Sequence, residues 1–235
     1  MKLLYLTIDF FSLLIPFVFS FHTKIRFYKE WKHVFPAILI SAIPFIIWDI
    51  YFTDIGVWGF TSSYLTGYYF FNLPIEEVLF FICIPYSCLF TYHCFKIFLK
   101  KDLFFDYEIK ISSVLLILLF ITAFLNYNKL YTFFSFSGLI ALMLFLKYVP
   151  KVQWLGRFYF TYLALLIPFS IVNGLLTGTG LNEPVVWYNN NENIGIRVLT
   201  IPAEDIFYGM LLILLNTTFF EYLSKSKKIF NGITY

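Results

Sequence analysis

Residues 72–80 read Asn-Leu-Pro-Ile-Glu-Glu-Val-Leu-Phe, and residues 200–208 read Thr-Ile-Pro-Ala-Glu-Asp-Ile-Phe-Tyr. The two stretches align without a gap, and in both a proline is followed two and three positions later by two acids. Each stretch leads into a long apolar run. Proline suits the start of a helix, where its missing N–H costs nothing. The sequence therefore predicts two copies of one unit, each with an acid pair at the beginning of an apolar helix.

The repeat continues upstream of these stretches. Pro44 pairs with Pro168 and Asp49 pairs with Asn173, so that a residue of the first copy lies 124 positions before its partner. For the acid pairs the offset is 128, because 204 − 76 = 128. The second copy therefore carries four extra residues in the loop between these two landmarks.

The composition is that of a membrane protein. The chain has 235 residues, of which 60% are hydrophobic and only 13% are charged. A soluble domain carries about 25% charged residues, so a soluble enzyme, a nucleic-acid-binding protein and a disordered chain are excluded. The three cysteines all lie in one apolar run, which favours neither a disulfide framework nor a zinc site.

A spanning helix needs about 20 mostly apolar residues. Seven runs qualify, although the break at 126–131 leaves six spans as an alternative: 3–21, 34–52, 74–98, 111–126, 132–149, 158–176 and 201–223. We expect an all-α polytopic membrane protein built from two parallel three-helix repeats, residues 1–105 and 131–235. Residues 106–130 form a linker with the fourth helix, which starts the second repeat in the same orientation as the first.

Basic residues predict the orientation. With seven spans, Lys2, Lys129 and Arg197 lie on the side where the chain begins, and the other 14 of the 17 Lys and Arg residues lie on the opposite side. Positive residues favour the cytoplasm, so we expect the N-terminus outside and the C-terminus inside. Six spans would move Lys225, Lys227 and Lys228 to the wrong side, which favours seven.

The acid pairs supply the candidate catalytic residues, Glu76, Glu77, Glu204 and Asp205. The helix dipole favours their ionised form, whereas burial and a like-charged neighbour oppose it. Such a pair is suited to hold one proton and to act as acid and base. First-turn acids are also ordinary caps. We favour Glu76 and Glu204 as the cavity-facing members, because they are identical in both copies.

Several other residues are weaker candidates. Pro74 and Pro202 support the two helix starts. Asp49 is predicted to assist Glu76, whereas Asn173, its partner in the second copy, cannot act as an acid. Aromatic faces stabilise cations, but aromatic residues also form belts at membrane interfaces. Five aromatic residues near the outer ends are candidates for lining a cationic pocket, although the interface belt is the better interpretation for most of them: Trp48, Trp58, Tyr68, Tyr69 and Trp187.

Polar residues elsewhere are not expected in the same site. His93 and Glu221 lie 17 residues beyond Glu76 and Glu204, which is about 25 Å along a helix. They are expected to make interfacial contacts, and Asp9 to be a polar contact in the first span. No nucleotide-binding glycine motif, retinal-binding lysine or Asp-rich magnesium motif is present, so we predict neither a cofactor nor a metal.

The residues also carry a family resemblance. Residues 73–92, Leu-Pro-Ile-Glu-Glu-Val-Leu-Phe-Phe-Ile-Cys-Ile-Pro-Tyr-Ser-Cys-Leu-Phe-Thr-Tyr, together with Pro-Ala-Glu-Asp at 202–205, closely resemble the integral-membrane lycopene cyclase domain family. This family includes heterodimeric, fungal fused and tandem single-chain forms, and the chain is similar to the tandem form. One departure is His93, where the family pattern has Glu, as at Glu221.

The resemblance implies a lycopene β-cyclase that uses no cofactor. Its substrate is lycopene, held within membrane lipid, and its other partners are carotenoid-pathway enzymes or a second copy of the chain; nucleic acid is not expected. A bacterial inner membrane is the expected location. Alternatives are a monocyclase, a hydratase of the same cation, a proton-coupled transporter, whose acids would lie near the bilayer midplane, and a non-catalytic scaffold. We expect both halves to build one pocket in which the substrate turns round.

Overall fold

The computed structural model describes residues 2–230, with side chains up to residue 224. Lys225, Lys227 and Lys228, used above for orientation, therefore lie outside the described side chains. The described residues form seven α-helices: α1 (Leu4–Phe19), α2 (Trp31–Asp54), α3 (Ile75–Phe98), α4 (Glu108–Leu125), α5 (Leu130–Tyr148), α6 (Leu155–Leu176) and α7 (Ala203–Phe230).

The helices confirm the predicted all-α membrane architecture. Six of the described helices are long and apolar enough to cross a membrane, and α1 is a shorter apolar helix of 16 residues. α4 ends at Leu125 and α5 begins at Leu130, so the predicted break at this point is real. The polar run 126–129 separates them, and the Lys129 N–H donates to the Asn126 carbonyl at 3.0 Å. The domain limits at 105 and 130 stay a prediction.

The two repeats interlock. Within each repeat the first and third helices pack together, α1 with α3 and α5 with α7. Between repeats, the second helix of each packs on the third helix of the other, α2 with α7 and α6 with α3. Each helix that carries an acid pair therefore packs against a helix from the other repeat.

Six short strands, which the sequence did not predict, organise the loops before α3 and α7. They are β1 (Trp58–Phe60), β2 (Tyr69–Phe70), β3 (Leu73–Pro74), β4 (Val186–Tyr188), β5 (Arg197–Val198) and β6 (Ile201–Pro202). β1 pairs antiparallel with β4 and joins the two loops. β2–β3 and β5–β6 are equivalent hairpins, in which Tyr69 faces Pro74 and Arg197 faces Pro202.

The hairpins reproduce one another in detail. Phe71 and Leu199 are 128 residues apart, since 199 − 71 = 128, and both adopt a left-handed backbone, with φ of 55° and 57°. A non-glycine residue at such a φ costs roughly 1–2 kcal/mol, so both copies keep the same tight turn despite its cost. Each turn sets the direction in which the following helix starts.

Candidate functional site

An apolar cavity of about 670 Å³ lies between α1, α3, α6 and α7. Its wall on α3 runs from Glu77 to Thr91, which is 14 residues and about 21 Å along the helix axis. Most of the remaining wall is aliphatic or aromatic. Its polar groups include Glu77, Asn173, Tyr188 and Asp205 at the end where α3 and α7 begin. The cavity is long, with an apolar lining along its length and acidic groups at one end.

The cavity-facing acids are Glu77 and Asp205, one from each repeat. The prediction that Glu76 and Glu204 face the cavity is wrong. Successive positions on a helix point about 100° apart, so only one acid of each pair reaches this wall. Glu76 and Glu204 are fully buried behind it. Their identity in the two copies reflects a shared structural position.

The carboxylate at this position holds the loop before each helix through a hydrogen bond to the backbone. Oε1 of Glu76 accepts the backbone N–H of Thr66 at 2.6 Å, and Oε1 of Glu204 accepts that of Ile194 at 2.6 Å. Each acceptor lies ten residues after its donor. Oε1 of Glu204 also accepts the hydroxyl of Thr132 at 2.6 Å. One acid of each pair thus anchors the loop before its helix, and the other faces the cavity.

Pro74 and Pro202 end the two hairpins. Pro74 is the N-cap of α3, and Pro202 is the residue directly before α7. Both are buried. The structure therefore puts each proline one position before the first helical turn in which it was predicted, where it fixes the bend between strand and helix.

Asp205 is surrounded by hydrogen-bond donors. Tyr131 donates to Oδ1 at 2.5 Å, while the Asn173 amide and the Tyr188 hydroxyl donate to Oδ2 at 2.6 and 3.1 Å. Burial next to Asp205 raises the pKa of Tyr188 well above its ordinary value, so this hydroxyl keeps its proton and stays a donor. Three donors to one carboxyl stabilise its ionised form.

Glu77 has a different environment. Its Oε2 accepts one hydrogen bond, from the Tyr5 hydroxyl at 2.5 Å. Its other neighbour is Asp49, a second buried carboxyl, which interacts with Glu77 and not with Glu76 as predicted. Oδ1 of Asp49 accepts the Trp58 indole N–H at 2.5 Å. The first repeat therefore joins two carboxyls where the second repeat joins a carboxyl and an amide.

A second, small cavity of about 40 Å³ adjoins this acid end. Asp49, Glu77 and Trp58 line it from the first repeat, and Tyr188 and Tyr208 are among the residues lining it from the second. Glu77, Tyr188 and Tyr208 line both cavities. The acids of the two repeats thus share one aromatic-walled end.

The five candidate aromatic residues divide into two that lie near the acid end and three that do not. Trp58 lines the small cavity, and Trp48 packs against Tyr208 with ring centroids 5.2 Å apart. Tyr68 and Tyr69 are 76% and 52% exposed, and Trp187 is 42% exposed, so these three side chains point away from the acid end. Tyr69 belongs to the β2–β3 hairpin and Trp187 to β4.

Sequence reasoning missed the tyrosines that matter most for the acid end. Tyr5 and Tyr131 donate to Glu77 and Asp205 respectively. They are equivalent residues, because each is the second residue of the first helix of its repeat. Extending the self-comparison to the first helix of each repeat gives this pair. Tyr188 and Tyr208 have no such signal, because Phe60 and Phe80 occupy the positions 128 residues earlier.

Of the polar residues expected elsewhere, Glu221 and His93 lie away from the acid end. Glu221 accepts Tyr92 at 2.9 Å and pairs with Lys96 at 2.6 Å, and His93 contacts the Ile25 carbonyl at 3.0 Å. These contacts join α3 to α7 and to the loop after α1 at the end opposite the carboxyls. Asp9, in contrast, is buried in α1 near Glu76 and Glu77. Neither of its carboxyl oxygens accepts a hydrogen bond from a described residue, so the polar contact expected for Asp9 is not a hydrogen bond.

The acid end is equipped for proton transfer to an apolar molecule. One carboxyl sits beside a second acid, the other is held by three donors, and both border an apolar space. Within residues 2–224, no three His, Cys, Asp or Glu side chains are grouped as metal ligands. The arrangement thus offers an acid and a base at the end of a long apolar cavity.

Comparison with known proteins gives two findings. The model of the family described as lycopene cyclase matches residues 2–95 and 128–223, one segment in each repeat. The bifunctional lycopene cyclase/phytoene synthase of Aspergillus oryzae is 29% identical over 63 residues, which is 27% of this chain and 11% of the fungal protein. The chain therefore spans only a small part of that relative. No solved structure matches.

Proposed function

Because this chain belongs to the lycopene cyclase family, we propose that it closes the acyclic ends of lycopene into β-rings, giving γ-carotene and then β-carotene. The observation that carries this proposal is the position of Glu77 and Asp205. They come from different repeats, and both border one apolar cavity. An acid and a base at the end of an apolar cavity suit a hydrocarbon substrate.

The reaction is an isomerisation without net redox change. A proton adds to C2 of lycopene and leaves a tertiary cation at C1. The C5=C6 double bond attacks C1, so the ring closes and the cation moves to C5. Loss of the proton on C6 gives the β-ring. Proton transfer by positioned carboxyls contributes about 10²–10⁴-fold to such a rate.

The surroundings of the acids support the cation. A carboxylate next to developing positive charge stabilises it strongly when water is excluded. Tyr188 and Tyr208 border both cavities at the same end, and aromatic faces attract cations. The apolar wall keeps water from adding to the cation, which favours cyclisation over the alternative hydration.

The cavity accepts one end of the substrate at a time. Its wall along α3 is about 21 Å long, whereas lycopene is about as long as the hydrocarbon core is thick, roughly 30 Å. The remaining part of the substrate extends into the membrane. We infer that γ-carotene leaves the cavity and enters again with its second end, because both acids are at the same end.

Pigment analysis tests the function. The chain is expressed in bacteria that accumulate lycopene, together with Glu77→Gln, Asp205→Asn and the control Glu183→Gln, which changes an exposed loop carboxyl. β-Carotene from the wild type and the control, with a loss of about 10²-fold or more in the two site variants, is expected. Unchanged lycopene beside wild-type protein present in the membrane refutes the proposal.

A divided chain tests the shared cavity. Cutting the polar loop 126–129 gives two pieces, each with one repeat, and we expect neither piece to form rings alone. Co-expression restores activity, since α2 packs on α7 and α6 packs on α3 across the repeats. Full activity of the first piece by itself contradicts a cavity built from both pieces.

Reporter fusions to the two termini test the proposed orientation, in which the N-terminus lies outside and the C-terminus lies in the cytoplasm.

A further inference from the structure

We propose that the two repeats have separate roles: Glu77 delivers the proton to the substrate and Asp205 removes one, with Asp49 and Asn173 as the positioning residues that set this difference. The inference rests on the proposed cyclase function and assigns the direction of proton transfer within it. It starts from an asymmetry in an otherwise repeated structure. Asp49 and Asn173 are equivalent positions, yet one is an acid and the other an amide.

The amide fixes Asp205 as the base. Asn173 donates to its Oδ2 at 2.6 Å, and Tyr131 and Tyr188 supply two further donors. As donors, an amide N–H and two phenol hydroxyls stabilise an ionised carboxylate, which only accepts hydrogen bonds. A protonated Asp205 would lose at least one of these bonds. These donors therefore favour an ionised Asp205 that is ready to accept a proton.

The acid at the equivalent position makes Glu77 the donor. Asp49 and Glu77 are neighbouring carboxyls, both buried and both lining the small cavity. Two such groups cannot both be ionised, so the pair holds a proton. Asp49 has two donors on Oδ1, Trp58 at 2.5 Å and Thr53 at 3.4 Å. These bonds favour the ionised form on Asp49 and leave the proton on Glu77, to which Tyr5 alone donates among the described side chains.

Glu77 is also the member of the pair that reaches the substrate. It lines both cavities, whereas Asp49 lines only the small one. The Glu77 carboxyl therefore borders both Asp49 and the large apolar cavity that receives the substrate end. Asp49 therefore acts through Glu77 and does not touch the substrate.

The proton balance closes without a co-reactant. The O–H bond of Glu77 breaks as the C2–H bond of the substrate forms, and the C6–H bond then breaks as an O–H bond forms on Asp205. One proton has moved from Glu77 to Asp205. After the product leaves, a proton returns across the shared end, where the Tyr188 hydroxyl contacts Asp205 and Tyr188 lines both cavities.

Deuterium exchange separates the two roles. Full-length Glu77→Gln and Asp205→Asn proteins in lipid vesicles are given lycopene in D₂O, and deuterium in the recovered lycopene is measured by mass spectrometry. Without its base, Asp205→Asn still adds a deuteron at C2, and the cation reverts by returning a hydrogen from C2. Recovered lycopene is expected to carry at least about ten times more deuterium with Asp205→Asn than with Glu77→Gln. Equal contents, or none in either, overturn the assignment, as does the reverse order.

The positioning residues are tested by pH. Asp49→Asn places a donor beside Glu77 and removes the shared proton, so turnover at neutral pH falls and recovers at lower pH, where Glu77 is protonated from solution. The groups facing Glu77 are Tyr5 and Asp9 of α1, Asp49 of α2, Tyr188 of β4, and Asp205 and Tyr208 of α7. Asp54→Asn, an exposed position on the same helix, is the matched control and keeps the wild-type profile.

Asn173→Asp gives the converse result. A second carboxyl beside Asp205 makes that pair share a proton, so ring formation falls while deuterium still enters recovered lycopene. A pH profile of Asp49→Asn that keeps the wild-type shape, or loss of exchange in Asn173→Asp, contradicts the positioning roles. Failure of the cyclase function itself shows differently, because the wild-type chain then forms no ring in any condition.

Discussion

Replacement of Glu204 tests whether this carboxyl anchors a loop or takes part in the reaction. Oε1 of Glu204 accepts the Ile194 N–H and the Thr132 hydroxyl, both at 2.6 Å. Glutamine keeps an oxygen at this place, so both bonds survive as neutral ones. A hydrogen bond to a charged group contributes about 1.5–3 kcal/mol and a neutral one about 0.5–1.5. Glu204→Gln therefore costs about 2–3 kcal/mol of stability.

Alanine at the same position has a larger effect. Glu204→Ala leaves a buried N–H and a buried hydroxyl without their acceptor, at about 1–3 kcal/mol each, or about 2–6 kcal/mol in total. Unfolding is followed in detergent as the midpoint of thermal denaturation, and activity as β-carotene formed per molecule of folded protein. We expect Glu204→Gln to keep activity within about tenfold of wild type, against a loss of about 10²–10⁴-fold for Asp205→Asn.

The same variants refute the reasoning if their order is different. Glu204→Gln that reaches wild-type levels in the membrane, denatures normally and yet loses cyclisation as completely as Asp205→Asn means that Glu204 takes part in the chemistry. Glu76→Gln is the equivalent change in the first repeat. It affects one bond, from the Thr66 N–H at 2.6 Å, so its stability cost is about half as large.

Three further outcomes are expected. Tyr131→Phe removes the 2.5 Å donor to Asp205. The loss of this hydrogen bond, about 1–3 kcal/mol, lowers turnover about 5- to 150-fold, measured as product per folded protein; an unchanged rate contradicts this role. Ile84 lines the cavity seven residues beyond Glu77, which is about 10 Å along the helix. Ile84→Trp blocks the cavity at this point, so kcat/KM for lycopene, measured by pigment assay, falls at least about tenfold. Ile84→Ala leaves the cavity open and retains activity. Lys96→Met removes the ion pair of the buried Glu221 and leaves the Tyr92 hydrogen bond in place. The free energy of unfolding falls by about 1–3 kcal/mol, which is seen as a lower thermal midpoint. Lys101→Met changes an exposed lysine and leaves the midpoint unchanged.

The repeated acid pairs illustrate how far pattern reasoning reaches. Their spacing predicts which four carboxyls lie at helix starts, and the structure agrees, because a helix start is a local property of strand, proline and apolar run. Which acid of each pair faces the cavity depends on the rotation of α3 and α7 against their neighbours. Sequence identity between Glu76 and Glu204 pointed to the wrong members, because a loop anchor is kept by duplication as readily as a catalytic group.

The partners of those acids show the same limit. Asp49 was predicted beside Glu76, one helical position from its actual neighbour, since a rotation of about 100° decides between them. Tyr188 comes from a loop whose position follows from the β1–β4 pairing, which has no clear periodic signal in three residues. Tyr5 and Tyr131 were within reach of the self-comparison, because both occupy the same place in the first helix of a repeat.

The sequence by itself determined the class of protein, the seven apolar segments, the duplication, the two acid-bearing helix starts and the family resemblance. These properties follow from composition, periodicity and repetition, which are local or directly comparable along the chain. The tertiary structure alone decided that the repeats interlock, that Glu77 and Asp205 share one apolar cavity, and that Glu76 and Glu204 hold loops in place. These facts depend on how helices distant in sequence pack and rotate against one another, and side-chain packing over the whole molecule sets that geometry.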